Sequence, residues 1–292
     1  MKKILPIGVI LLFLGVAFSQ SITADITDSN ELVEITVDIC GFDETDSHKV
    51  SLSRKDADRL DALIDKFEEK IDNTANMEDT FVAYNWLIMK LYKIGLLDDT
   101  SFKEIKKIVS INYKKAKIFK LLDGQYTINN DFFDENKNYF CMISGRCDRL
   151  LFHGIFLTKL LIKDFKIRKQ IDLSDYYFLI GLEELLHMLN FFEKGGTIIS
   201  GHKYDDEDYV SHYCPSEGWI WTLGLNGIKK WENSFHGSLC RIDYHLFLGH
   251  YSTHYVGAVG FAGVKIGIKP LYAEYFILGN ALCVSFSENH SK

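Results

Sequence analysis

Glu217-Gly218-Trp219-Ile220-Trp221-Thr222-Leu223-Gly224-Leu225-Asn226-Gly227-Ile228-Lys229-Lys230-Trp231 reads as two strand-like runs about an Asn-Gly pair. A type I′ hairpin turn needs positive φ at both central residues, which Asn-Gly supplies at little cost. With Asn226-Gly227 as the turn, Leu225 is expected opposite Ile228 and Leu223 opposite Lys230. Trp219, Trp221, Leu223 and Leu225 then share one face of a sheet, because side chains alternate with a period of two. A row of this kind is expected in a core; the functional alternative is a carbohydrate-stacking platform.

The same run, with Gly257-Ala258-Val259-Gly260-Phe261-Ala262-Gly263-Val264-Lys265-Ile266 after it and Val37-Asp38-Ile39-Cys40-Gly41 before it, resembles a group of uncharacterised archaeal exported proteins. The resemblance implies export and a shared fold. It carries no activity and no site residue.

Outward from that stretch, composition sets bounds. The 292 residues hold one large domain or two modest ones. Hydrophobic residues make up 47% and charged residues 25%, which argues for a globular chain against a disordered one. The net charge of −7 gives no electrostatic reason for nucleic acid as a partner.

The N-terminus has the form of a secretory signal. Lys2 and Lys3 precede an apolar run from Ile4 to Phe18, and the small residues Ala17 and Ser19 place a cleavage site before Gln20. The run is short beside the roughly 20 residues of a membrane span, an uncleaved anchor being the alternative. No cysteine follows the site, which argues against a lipid anchor. Export to an oxidising compartment permits disulfides among the six cysteines, and Cys141 and Cys147 are placed to close a small loop around Gly145. Cys40, Cys214, Cys240 and Cys283 lie in or beside strand-like runs, and no zinc spacing is present.

Toward the N-terminus, Leu32–Ile39 alternates as a half-buried strand that His48–Leu52 can join as a hairpin. Ser53 caps a helix whose apolar stripe is Leu60, Leu63, Ile64, Phe67 and Ile71; Asn76 caps a second helix, which Gly95 ends. A third helix is expected from Phe102 to about Leu122, capped by Thr100 or Ser101. Its lysines, Lys103, Lys106 and Lys107 among them, form a solvated face or a contact for an anionic membrane surface. Tyr139–Ile143 and Thr197–Ser200 read as strands, Leu150–Ile162 as a buried apolar element with a basic exit, and Ser174–Lys194 as a helix.

Two local patterns invite a metal reading. Glu184 and His187 form one Glu-x-x-His pair, where a diiron site needs two, and Glu183, His187, Asn190 and Lys194 make a polar stripe instead. The acidic knot Asp205–Asp208, beside His202 and His212, lacks the alternation and glycine of a calcium loop. Gly257, Gly260 and Gly263 do not match a dinucleotide fingerprint; they suit bends or close packing of strands.

The C-terminal histidines His236, His245, His250 and His254 carry the one constellation with catalytic potential. If Gly249-His250 forms a two-residue hairpin loop, His245 faces His254, with Asp243 on the same face. Two imidazoles and a carboxylate suit zinc or iron with an open position.

The fold class expected is α+β: an N-terminal β-hairpin with helices and a C-terminal antiparallel β region. The expected parts are a signal peptide at 1–19, an α-rich region at 20–125, a mixed connecting region at 126–216 and the β region at 217–292. No nucleophile elbow, His-Glu-x-x-His or P-loop is present. The functional expectation is an extracellular or cell-surface protein with a binding or structural role, its partner a membrane surface or an extracellular molecule. The alternative is a metal-dependent extracytoplasmic enzyme using the C-terminal histidines. The intact mass of the native protein checks the export reading: a mature chain beginning at Gln20 is expected, and one beginning at Met1 overturns cleavage.

Overall fold

A computed structural model describes residues 32–40, 46–110, 136–153, 195–205, 211–245, 251–269 and 274–288. The signal segment, Lys114 to Lys120, the 154–194 stretch with Glu184 and His187, Asp206–Asp208 and Gly249-His250 lie outside these residues.

The described elements run β1 (Leu32–Cys40), β2 (Asp46–Ser53), α1 (Arg54–Asp72), α2 (Met77–Lys93) and α3, helical over 99–110. They continue as β3 (Asn138–Asp148), β4 (Leu150–His153), β5 (Gly196–Asp205), β6 (Ser211–Cys214), β7 (Ser216–Gly224) and β8 (Gly227–Gly237). The chain ends with β9 (Cys240–His245), β10 (Tyr251–Lys269), β11 (Glu274–Val284) and β12 (Phe286–Glu288). Among the described residues antiparallel sheet predominates, which corrects the α+β expectation toward mostly β while keeping its N-terminal hairpin and helices. The middle of the chain and the N-terminal hairpin are both drawn into the same sheet.

Helix starts follow local chemistry. The Ser53 hydroxyl accepts from the Asp56 N–H at 3.2 Å, and the Asn76 side chain accepts from the N–H groups of Glu78 and Asp79 at 2.8 and 3.0 Å. Each cap satisfies donors that the first helical turn leaves open. Asp98 caps α3, accepting from the Ser101 N–H at 2.7 Å, so α3 begins a few residues before the position expected from Thr100 or Ser101.

Sheet order is β12-β8-β7-β3-β11-β10-β1-β2, with β5 and β9 pairing the N-terminal part of β10. The pairings close on themselves. β3 continues through Arg149 into β4, β4 pairs β5, β5 pairs β10, β10 pairs β11, and β11 pairs β3. Likewise β12, one residue after β11, pairs β8, which returns through β7 to β3.

One face of this curled sheet carries Val264, Ile266, Phe276, Leu278, Trp219 and Trp221 against Leu60, Ile64 and Phe67 of α1 and Tyr84, Leu87 and Leu91 of α2. The other face forms a second core from Cys141, Ile143, Ile220, Phe235, Phe261, Ile277 and Phe286. Fully burying an aliphatic or aromatic side chain contributes about 1.5–3 kcal/mol, so both faces stabilise the fold. Strand alternation therefore separates two apolar sets here instead of apolar from polar.

The Trp row is core: Trp219, Trp221 and Trp231 are 7%, 1% and 9% exposed, which removes the stacking platform. The hairpin register is shifted by two from the expected one, with Gly224 opposite Gly227 and Leu223 opposite Ile228. Gly227 has φ +75° and Asn226 is not in the left-handed region, so Leu225-Asn226 turn with ordinary φ and Gly227, which starts β8, takes the left-handed conformation. Tertiary contacts set this choice. Asn138 accepts from the Asn226 N–H at 3.2 Å and donates to Gly227 O at 3.0 Å, while the Leu225 N–H donates to Tyr139 O. An even shift leaves every side chain on its expected face.

The glycines of β10 serve close packing, as expected. A Cβ at Gly263 would stand 2.6 Å from the Gly279 Cα of β11.

All six cysteines are free thiols. Cys141 and Cys147 do not close a loop: both lie in β3, and at about 3.3 Å per residue their Cα atoms are roughly 20 Å apart. Burial pushes the Cys40, Cys141 and Cys147 thiols well above the ordinary range, which keeps them protonated and unreactive. Native protein titrated with a thiol reagent is expected to react first at the partly exposed Cys214 and Cys240. Cys40, Cys141, Cys147 and Cys283 are expected to react only after unfolding; fast labelling of Cys141 overturns the buried placement.

Candidate functional site

The histidines fall differently from their expected arrangement. β9 and β10 pair with His245 opposite Tyr251 and His254 opposite Ile242. His245 and His254 are therefore not cross-strand partners. Five residues, not two, separate the end of β9 from the start of β10. Asp243 lies opposite Thr253. Among the described residues no three His, Cys, Asp or Glu side chains converge as a metal site.

His254 instead meets a histidine of β5. His202 lies opposite His254, and the rings stack with centroids 6.0 Å apart and planes 24° from parallel. Near-parallel imidazoles set their nitrogens side by side rather than at one point. The Ser252 hydroxyl lies 3.0 Å from His254 Nε2. Cys214 lies opposite His202 on the far edge, so the row crosses β6, β5, β10 and β9. His236 packs edge-on against Tyr255 at 4.9 Å and Tyr213 at 5.6 Å, and Arg241 covers the Tyr255 ring at 5.7 Å. This corner is a packed aromatic cluster.

The acidic side of the molecule was not legible as a site. α1 carries Asp61, Asp65, Glu68 and Asp72, each one position after the core residues Leu60, Ile64, Phe67 and Ile71. One residue is about 100° of helix, so the carboxylates border the buried stripe and reach the sheet beside it. Arg146 of β3, 15% exposed, meets Asp61 at 3.1 Å and Asp65 at 2.9 Å and bonds to Glu274 of β11. Burial works against the Arg146 charge, and the Glu274, Asp61 and Asp65 carboxylates outweigh it, holding the guanidinium protonated. Lys230 of β8 makes the second junction, 2.6 Å from both Asp72 and Glu232 and 3.5 Å from Glu68. Burial opposes the Lys230 charge too, and the hydrogen bonds that Lys230 donates to Asp72 and Glu232 raise its pKa despite it.

Above Lys230 a cleft of about 580 Å³ opens between α1 and the β7–β8 hairpin, lined by Glu68, Glu217, Gly218, Trp219, Glu232, Asn233 and Ser234. Its floor depends on backbone geometry. Gly218 has φ +136°, and a Cβ there would stand 2.8 Å from the Cys147 Cα; Asn233 opposite it has φ +64°. Burial raises the Glu68 carboxyl above its ordinary pKa against the pull of Lys230. At the same end, burial raises Asp148, whose carboxylate accepts from the Glu217 N–H at 2.6 Å. Glu217 and Glu232 are exposed. Carboxylates thus outnumber the cations around the cleft, and its one indole is too buried to stack on a sugar. The arrangement suits an ammonium or guanidinium group.

The sequence signal for this region was the acid stripe of α1 at the spacing of its apolar stripe. The partners, Arg146 and Lys230, the latter directly after Lys229, belong to no recognisable motif.

Comparisons with protein-family models, with curated proteins and with solved structures returned no match for this chain.

Burial, with the Arg149 cation second, lowers the His202 pKa below its ordinary value. A depressed folded pKa means that the unfolded chain takes up a proton first as pH falls. Stability from this residue is present above the unfolded value of about 6.5 and is lost as pH falls through the folded one. Melting curves should therefore show a His202→Gln variant less acid-sensitive than the native protein as pH falls below about 6.5. Equal acid sensitivity overturns the burial argument.

Proposed function

We propose that the chain is an exported extracellular or cell-surface binding protein, and that its ligand contact is the acid-lined cleft between α1 and the β7–β8 hairpin. The observation that carries this reading is the set Glu68, Glu217 and Glu232 around one cleft, with Lys230 ion-paired to Glu68 and Glu232 but not among the lining residues. Unbalanced carboxylates at a concave surface favour a partner bearing ammonium or guanidinium groups, such as a lysine- or arginine-rich segment of an extracellular molecule. The N-terminal signal and the resemblance to archaeal exported proteins support the location. The buried tryptophans favour a charged ligand over a carbohydrate.

Titration calorimetry with an oligolysine peptide tests it. Binding that weakens with added salt is expected, as is no binding of an oligoglutamate peptide or a neutral oligosaccharide. Glu217→Gln should weaken it about two- to fivefold, the scale of one exposed ion pair. Equal affinity of native protein and a Glu217→Gln, Glu232→Gln double variant overturns the cleft as the contact. Absence of salt-dependent binding overturns the cationic ligand.

A further inference from the structure

The helical side of the molecule turns an apolar line outward. Tyr84, Leu87 and Leu91 of α2 face the sheet core, and Val82, Trp86, Met89 and Lys93, spaced four, three and four residues apart, take the opposite side of the helix. Val82 and Met89 are 63% and 37% exposed. Trp86 is half-buried, whereas the other three tryptophans are in the core. Single exposed apolar residues are ordinary, but a line of them beside a tryptophan marks a contact surface.

Cations border this line on both sides. α1 is divided by charge. Asp61, Asp65, Glu68 and Asp72 lie on the flank that meets Arg146 and Lys230; Lys66 and Lys70, one turn apart, lie on the other flank, toward α2. Lys70 Nζ stands 5.0 Å from the centre of the Trp86 ring. On the α3 side the Tyr92 ring stacks on Phe102 at 4.5 Å, and Lys106 Nζ lies over Phe102 at 5.2 Å. Lys90 and Lys93 are exposed in the last turn of α2, and Lys103 is exposed beside Phe102. Lys66, Lys70, Lys90, Lys93, Lys103 and Lys106 outnumber the acids of the same surface, Glu69, Asp99 and Glu104, and Asp99 already accepts from the Tyr92 hydroxyl at 2.6 Å. Glu78 and Asp79 lie at the far end of α2, in its first turn.

We propose that this surface docks peripherally on a bilayer carrying anionic headgroups, with Val82, Trp86 and Met89 set into the headgroup boundary and the lysines on the phosphates around them. Indole and lysine suit that depth, since both present an apolar body and a polar end. Peripheral attachment combines buried apolar area with attraction of cations to anionic lipid, and one face supplies both. The net charge of −7 does not oppose contact, because charges farther than about 10 Å are screened in physiological salt. A soluble polyanion would use the lysines alone; the apolar line selects the bilayer. The acid-lined cleft opens at the acidic flank of α1 and this surface at the basic one, so the two proposals stand or fall separately.

Sedimentation with vesicles of phosphatidylcholine alone, and of phosphatidylcholine mixed with phosphatidylglycerol, tests the docking. Binding to the anionic vesicles that weakens with added salt is expected, with none to the neutral ones. Brominated phosphatidylcholine in the anionic vesicles should quench Trp86, the least buried tryptophan, and Trp86→Phe should remove that quenching. Lys90→Gln with Lys93→Gln should lower the partition about fivefold for each charge removed. Val82→Ser with Met89→Ser should lower it at unchanged charge. All four replace exposed side chains, so the variants are expected to keep the native circular dichroism. Absence of binding to the anionic vesicles overturns the proposal, as does equal partition of native protein and the folded lysine variant. Vesicle binding without quenching of Trp86, the result of an uncleaved Ile4–Phe18 run inserting alone, overturns it too. A dimer that Val82→Ser with Met89→Ser dissociates, with no vesicle binding, makes the face a contact between copies and likewise overturns it.

Discussion

Strand β10 has to serve two sets of neighbours, and the sheet is shaped by that demand. It is 19 residues long. Near its N-terminal end it pairs β9 on one edge and β5 on the other; toward its C-terminal end it pairs β11 and β1. Register shifts at His254/Val256, Val256/Ala258 and Val259/Phe261 accompany the change of partner against β5. Each irregularity adds twist and bends the strand. A bent β10 brings β5 round to β4 and closes the ring that β3 and β11 share with it. Closure removes edges that would otherwise offer unpaired backbone groups. It also explains the glycines: at Gly263 and Gly279 two strands approach too closely for a Cβ on either.

Closure on one face leaves the other to the helices, and α1 is fixed there by two kinds of force at once. Leu60, Ile64, Phe67 and Ile71 supply area, which is large but non-directional. Asp61, Asp65, Glu68 and Asp72 supply direction, because Arg146 and Lys230 reach them from two different strands. Exposed ion pairs contribute little, whereas Arg146 is mostly buried and shared among three carboxylates. Removing its charge would leave the partly buried Asp61 and Glu274 carboxylates without their cation, whereas Asp65 is mostly exposed and loses little. The register of α1 along the sheet is thereby specified, with the cleft at one end of the junction.

How much of this was legible depends on the range of the interactions involved. Ser53 and Asn76 could be read as caps because their partners lie two or three residues away. The tryptophan face could be read because alternation survives an even register shift. The turn type could not: Asn138, 88 positions from Asn226, selects it. The histidine pairing failed for a related reason. The shortest loop would set His245 against His254, whereas β9 places Ile242 opposite His254 on one edge and β5, distant in sequence, places His202 opposite it on the other. Arg146 and Lys230 were invisible as junctions because a single basic residue carries no local signature of the carboxylates it will meet.

The two-faced burial of the sheet also accounts for where a binding surface is available. A strand buried on both sides has no polar alternation to spare, and β11 is buried along nearly its whole length. Polar side chains on such strands must either find partners inside, as Asn280 does with α3, or lie where the sheet runs out from under its cover. The β7–β8 hairpin does the latter. β7 is buried without a break from Trp219 to Leu223, whereas Glu217 and, on β8, Glu232 and Asn233 are exposed. Gly218 and Asn233, both with positive φ and opposite each other, mark the point of change. The cleft lies at that point, where the positive-φ pair interrupts the burial of the hairpin between Trp219 and the buried Ser216–Phe235 pair, with Glu217 and Glu232 exposed beside Glu68 of α1.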